Sequence, residues 1–200
     1  NYILVCSNNL KNAPYEHNFE IANRLFEHVL SEFKTDSNQV YTAGFSGGSR
    51  LASTIAILSN VIQGVIGCGA GLGINLSQKQ ISNSTFSYIG IVGDEDMNYQ
   101  EMVNLKYSLN KFSIDNELLT YENGHKWPPE NQIFRSVSWI ELQAYKKGIK
   151  PIDLEIVNTI YNYEYKLGKS LENDNKIVQA VTEYKRIIRN FNKYYTLDSI

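Results

Sequence analysis

The order of elements along the chain predicts an α/β fold, a parallel sheet flanked by helices, followed by a C-terminal helical hairpin. Three observations carry this. Between residues 40 and 147 short apolar runs alternate with stretches of helical spacing. A Gly-Phe-Ser-Gly-Gly turn joins one of those runs directly to a helix. Beyond Gly148 the apolar spacing is helical throughout, with no strand-like run. A length of 200 residues fits one domain, or one domain with a small appendage.

Taken in order, residues 2–6 (Tyr-Ile-Leu-Val-Cys) form a short apolar run ending in Ser7-Asn8-Asn9, the pattern of a buried strand. Over residues 19–33, Phe19, Ala22, Phe26, Val29, Leu30 and Phe33 recur at helical spacing. Asp36-Ser37-Asn38 marks a loop, and 40–43 a strand. Residues 47–59 read as a helix, 61–68 as a strand or buried run, 88–92 as a strand and 99–112 as a helix. A strand over 118–121 and a helix over 128–147 complete the alternation. Lys147-Gly148-Ile149-Lys150 before Pro151 is a linker, so the expected units are 1–150 and 151–200. In the second, Ile156, Ile160, Tyr163, Leu167 and Leu171 form one helical stripe. After a break at Asn173-Asp174-Asn175, a second stripe runs through Ile177, Val181, Tyr184, Ile188 and Phe191.

Composition excludes several classes of function. Twenty-one acids against 19 bases give a net charge of −2, which argues against a nucleic-acid binder driven by phosphate contacts. No apolar stretch reaches about 18 residues, so no membrane span is expected. Two cysteines, Cys6 and Cys68, are too few for a disulfide scaffold and read as buried free thiols. No His/Cys/Asp spacing suits a metal. Gly67-Cys68-Gly69-Ala70-Gly71-Leu72-Gly73 has the look of a dinucleotide fingerprint. It lacks the strand–turn–helix unit and the downstream ribose acid, so it is read as a loop near the site, with no nucleotide cofactor.

The chemistry concentrates at Gly44-Phe45-Ser46-Gly47-Gly48, between a strand and a helix. That context is the one a nucleophile elbow requires: a sharp turn pushes the serine hydroxyl out of the sheet. Small residues at Gly44 and Gly48 are expected to let the two backbone arms pass closely, and the Gly47 amide can donate to a developing oxyanion. Such a serine needs a base and an acid, in the chain order serine, acid, histidine. Of His17, His28 and His125, only His125 follows Ser46. His125 lies in a Gly-flanked loop after a strand and before Pro128-Pro129. Gly93-Asp94-Glu95-Asp96 follows the strand between serine and histidine, and the residues alone do not separate Asp94 from Asp96. His28 reads as a surface residue within its helix. His17, in the Asn-rich loop after the first run, is a candidate substrate contact.

These segments resemble the serine α/β-hydrolases, in the polyhydroxybutyrate-depolymerase and feruloyl-esterase-like branch. The likeness rests on Gly44-Phe45-Ser46-Gly47-Gly48-Ser49-Arg50, Gly93-Asp94-Glu95-Asp96 and Gly124-His125-Lys126-Trp127-Pro128, and covers about residues 1–148. It implies that Asp96 is the acid and adds Trp127 as a candidate substrate contact. Matched to that fold, residues 2–6 resemble its fourth strand and 40–43 its fifth. The first three strands have no counterpart, and the loop after the third usually supplies a second oxyanion amide. The chain is therefore expected to be a partial hydrolase whose missing N-terminal segment would complete the sheet. The alternative is direct pairing of 2–6 with 40–43 in a five-stranded sheet.

From about Leu154 the tail resembles a tetratricopeptide-like hairpin, on Leu167-Gly168 and residues 180–191. A lone hairpin does not bury its apolar face unaided, which implies a protein partner, further repeats or the hydrolase itself as its cover. The functional expectation is a serine hydrolase of carboxylic esters on a small molecule or polymer. The alternatives are a serine peptidase and a non-catalytic scaffold that works through its tail.

Overall fold

The computed structural model describes residues 2–9, 14–73 and 76–197. The chain forms two compact units, Asn1–Gln143 and Ala144–Ile200. The first contains α1 (Tyr15–Glu32), β1 (Tyr41–Phe45), α2 (Gly47–Ser59), β2 (Gly64–Cys68), α3 (Gln78–Ser82), β3 (Ser87–Gly93), α4 (Tyr99–Lys111), β4 (Asn116–Tyr121) and most of α5 (Glu130–Lys146). The second contains α6 (Leu154–Asn173) and α7 (Ile177–Phe191).

The four strands make one parallel sheet in the order β1-β2-β3-β4. Parallel neighbours need a crossover, and α2 and α4 supply it after β1 and β3. Side chains alternate between the two faces, as a pleated strand requires. Val65 and Tyr88 join Ala52, Ala56 and Ile57 of α2 and Leu109 of α4 in one core. Ile66, Ile89, Ile91 and Leu119 pack with Trp139 and Ile140 of α5 in the other. Val65, Ile89, Ile91 and Val92 are fully buried, and each such side chain contributes about 1.5–3 kcal/mol.

Three expectations are corrected here. Residues 2–6 form no strand: they make no ladder with β1, and Tyr2, Ile3, Leu4 and Val5 are exposed. The proposed direct pairing with 40–43 is therefore not formed, and Cys6 is exposed rather than buried. An apolar run is buried as a strand only where a neighbour accepts its backbone. Among the described residues Tyr2 is the anchor, through an edge-on ring contact with Tyr41 and a hydroxyl that donates to Glu141. The second correction is that α1 starts at Tyr15, four residues earlier than expected. Pro14 sits at its N-cap with φ −51°, pre-set for a helix start. His17 therefore lies in the first turn of a helix and not in a loop. The third is that α3 was not anticipated. Its signal is local: Ser77 and Gln80 form a reciprocal capping box.

In the second unit the Asp153 carboxylate caps α6 by accepting from the amides of Glu155 and Ile156, at 3.0 and 3.2 Å. Asn175 turns the chain with φ 60°. Helices α6 and α7 then run antiparallel around Tyr161, Tyr165, Tyr184 and Phe191. Gly168 lies where a Cβ would come 2.8 Å from the Tyr184 ring.

Candidate active site

Ser46 is the single residue between β1 and α2, and its backbone is left-handed, with φ 53° and ψ −117°. A non-glycine residue held there stores about 1–3 kcal/mol. The turn is held on both sides. The Ser46 amide donates to the Cys68 carbonyl at 2.8 Å, and the Ser46 carbonyl accepts from the Ser49 and Arg50 amides at 3.0 and 3.2 Å. Gly44 is required for the close passage: a Cβ there would lie 2.2 Å from the Gly48 carbonyl carbon and oxygen. The expectation for Gly48 is corrected, because a Cβ on Gly48 meets nothing within 4 Å. Gly47 opens α2, so its amide has no acceptor within the helix, and a helix start of this kind presents its amides to an anion.

His125 lies in the loop between β4 and α5. Its Nε2 is 2.9 Å from Ser46 Oγ, and its Nδ1 is 2.8 Å from Asp96 Oδ2. An ionised carboxylate only accepts, so this pattern assigns the proton to Nδ1 and leaves Nε2 to accept from the serine hydroxyl. The Asp96 side chain is fully buried, and its other oxygen accepts from the Asn98 amide at 2.8 Å. The neighbouring acids do different work. Asp94 is exposed and accepts from the Asn123 amide at 3.1 Å, while the Glu95 amide donates to the Asn123 carbonyl at 3.1 Å. Both brace the loop that carries His125. A Cβ on Gly93 would lie 2.0 Å from the Asn123 carbonyl oxygen, so the loop rests directly on that glycine.

Two aromatic rings continue the site outward. Phe45 lies 4.7 Å from the His125 ring and stacks on Trp127 at 5.1 Å, and Trp127 remains 65% exposed. Phe45 was not singled out from the sequence, although its place next to Ser46 in the elbow fixes it beside the base. Asn98 was missed as well, since nothing local marks an asparagine that braces an acid two residues away. His17 is exposed, and no hydrogen bond or ring contact among the described residues ties it to this group. Burial pushes the Cys68 thiol up to about 12, so it stays a neutral packing group beside the elbow. The Arg50 guanidinium bonded to Glu101 holds that carboxyl below its ordinary range. Among the described residues no group of three His, Cys, Asp or Glu side chains is placed to hold a metal ion. No helix among them is long and apolar enough to cross a membrane.

No protein-family profile matches the sequence, and no curated protein matches it. Solved structures do match. S-formylglutathione hydrolase of Staphylococcus aureus superposes with a TM-score of 0.52 at 13% identity, over 63% of this chain and 61% of that one. A fluorophosphonate-binding serine hydrolase of the same organism gives 0.51 at 13%, over 61% and 62%. The esterase PE8 gives 0.54 at 15%, over 64% and 60%. The chain has the α/β-hydrolase fold. It spans about three-fifths of the length of these hydrolases. At such identities the likeness is one of fold, and within that fold Ser46 occupies the strand-to-helix elbow, with Asp96 and His125 beyond the ends of later strands.

Proposed function

We propose that this site hydrolyses carboxylic esters through an acyl-enzyme, in the manner of the feruloyl-esterase-like and polyhydroxybutyrate-depolymerase-like serine hydrolases. The reading is carried by one observation, the His125 ring bridging Ser46 Oγ and Asp96 Oδ2 at 2.9 and 2.8 Å. In this mechanism Ser46 Oγ attacks the ester carbonyl carbon while its proton passes to His125 Nε2. Asp96 holds the ring in that tautomer and stabilises the imidazolium. The oxyanion that forms is met by the Gly47 amide at the start of α2. Collapse breaks the C–O bond, and Nε2 returns its proton to the leaving alcohol. Water then attacks the acyl group with Nε2 again taking a proton, which releases the acid and restores the serine.

Residues 69–86, which join β2 to β3, are too short a segment to hold a large cap domain. That favours an accessible ester, on a small molecule or a polymer, with the exposed Trp127 as a contact. The antiparallel α6–α7 pair with Gly168 at its close approach supports a tetratricopeptide-like reading of the helical unit. The deciding experiment treats the full chain with a fluorophosphonate and locates the adduct by mass spectrometry, alongside a panel of p-nitrophenyl esters and peptide anilides. One phosphonyl group on Ser46, lost in Ser46→Ala, is expected together with turnover of esters. Labelling elsewhere, or cleavage of anilides in preference to esters, overturns the reading.

A further inference from the structure

Residues 69–73 follow β2 and form neither strand nor helix. Each of the five has one backbone group held by a side chain. The Gly69 carbonyl accepts from Asn98 Nδ2 at 2.7 Å, and the Ala70 carbonyl from Ser49 Oγ at 2.6 Å. The Gly71 amide donates to Glu101 Oε1 at 2.9 Å. The Leu72 carbonyl accepts from Arg50 Nη1 at 3.1 Å, and the Gly73 amide donates to Ser53 Oγ at 3.2 Å. Ser49, Arg50 and Ser53 come from α2, and Asn98 and Glu101 from the start of α4. Arg50 and Glu101 then close the two sets on each other through a two-pronged ion pair at 2.8 and 2.7 Å.

The near end of this loop lies against the acid and base. Gly69 has φ 64°, and a Cβ on it would sit 3.3 Å from both Asp96 Oδ2 and His125 Cε1. Asn98, which holds the Gly69 carbonyl, also gives its own amide to Asp96 Oδ1. Loop, acid and the first turn of α4 are therefore one connected assembly. Three of its five loop residues are glycine, which supply no stiffness of their own. The stiffness comes from the side chains, and the planar guanidinium–carboxylate fork is the contact with the most geometric definition.

We infer that Arg50 and Glu101 are positioning residues: their ion pair clamps residues 69–73 against the Asp96–His125 pair and so fixes the carboxylate against the imidazole. The effect on turnover rests on the serine-hydrolase reading above, whereas the effect on the Asp96–His125 hydrogen bond does not. The test uses the full chain with Glu101→Gln and Arg50→Lys, the second of which keeps the charge and the alkyl stem but not the fork. The first readout is the downfield proton resonance of His125 Nδ1–H, which a group acting only on stability would leave in place in the folded protein. The second is kcat and KM for p-nitrophenyl acetate.

The wild type is expected to show the resonance, and both variants to shift or broaden it, with kcat falling about 10-fold and KM changing less than about 2-fold. If Glu101→Gln does not fold, Arg50→Lys carries the test alone. A resonance absent from the wild type, or unchanged in folded variants whose kcat is also unchanged, overturns the inference. A resonance that responds in a chain whose Ser46 takes no phosphonate upholds the positioning role while the hydrolase reading fails.

Discussion

The two units of the chain are held by different kinds of contact. In residues 144–200, α6 and α7 meet through rings, Tyr161 on Phe191 and Tyr165 on Tyr184. At the site end of the sheet the decisive contacts run from side chains to backbone: Asp94 to the loop of His125, Asn98 to Gly69, Ser49 to Ala70. Ring packing spreads its energy over many atoms and yields to small changes. A side-chain-to-backbone bond fixes one peptide in one place, and nothing next to it compensates when it is lost. The site end is therefore the region where single substitutions have large and separable effects.

The largest expected effects sharpen that contrast. Ser46→Ala or His125→Ala lowers ester turnover by a factor of about 10³ or more, and Asp96→Asn by a comparable factor, because the amide stabilises the wrong tautomer. Asp94→Asn, which leaves Asp96 with His125, lowers it by less than about 10-fold. Rates measured alongside melting temperatures check this. Equal losses for the two aspartates would break the assignment of Asp96 as the partner of His125.

Next in size is a pair of glycine substitutions, one from each unit. In Gly44→Ala the new methyl lies 2.2 Å from the Gly48 backbone, which has no way to yield, so the cost is about 3 kcal/mol or more. In Gly168→Ala the obstacle is a Tyr184 ring at 2.8 Å, which tilts, and alanine returns up to about 1 kcal/mol of helix propensity. The net change there is within about 1 kcal/mol. Urea unfolding followed by the fluorescence of Trp127 and Trp139 reports the first, and circular dichroism the second. A Gly168→Ala as damaging as Gly44→Ala would end the distinction between the two kinds of packing.

The same distinction explains what the sequence disclosed. Strands β1 to β4 and helices α2, α4, α5, α6 and α7 are visible as local periodicity, and Ser46 and His125 lie in motifs readable one at a time, whereas Asp96 was separated from Asp94 by the family resemblance alone. The loop of residues 69–73 was readable as a glycine-rich loop near the site, but what holds it was not. Its holders, Arg50 and Glu101, lie about 20 residues before it and 30 after, and no local pattern links them. Residues 2–6 mislead for the opposite reason. Their composition is that of a strand, but strand formation depends on a neighbour's backbone, which composition does not record.

Acid provides a smaller effect with a definite sign. Glu101 is held below its ordinary value of 4.5, first by its hydrogen bond with Arg50. A carboxyl depressed in the folded state contributes stability above its unfolded value and loses it as pH falls through the folded value. The melting-temperature gap between the wild type and Glu101→Gln is therefore present at pH 7 and closes below about pH 4.5. Glu172, bonded to Lys169 on the exposed face of α6, is depressed as well. Solvent screens that pair, so Glu172→Gln shows no such gap at either pH. A gap that widens on acidification breaks the account of Glu101 as an ionised clamp.

The smallest expected effect is a gain. Gly48 was taken from the sequence as a partner of Gly44 in the close passage, but the two sides of that contact are unequal. Gly44 offers its missing Cβ to the contact, whereas Gly48 offers its carbonyl and faces its own Cα substituent toward open space. Its backbone is not among the glycines with positive φ, so alanine fits its conformation. Gly48 also lies in the first turn of α2, where a glycine costs helix stability relative to alanine. Gly48→Ala therefore stabilises the first unit by about 0.5–1 kcal/mol, read as a rise in the urea midpoint of tryptophan fluorescence. Gly44→Ala, four residues away in the same turn, moves it the other way. Destabilisation by both alanines would mean that the elbow needs both glycines, as the sequence pattern alone suggests.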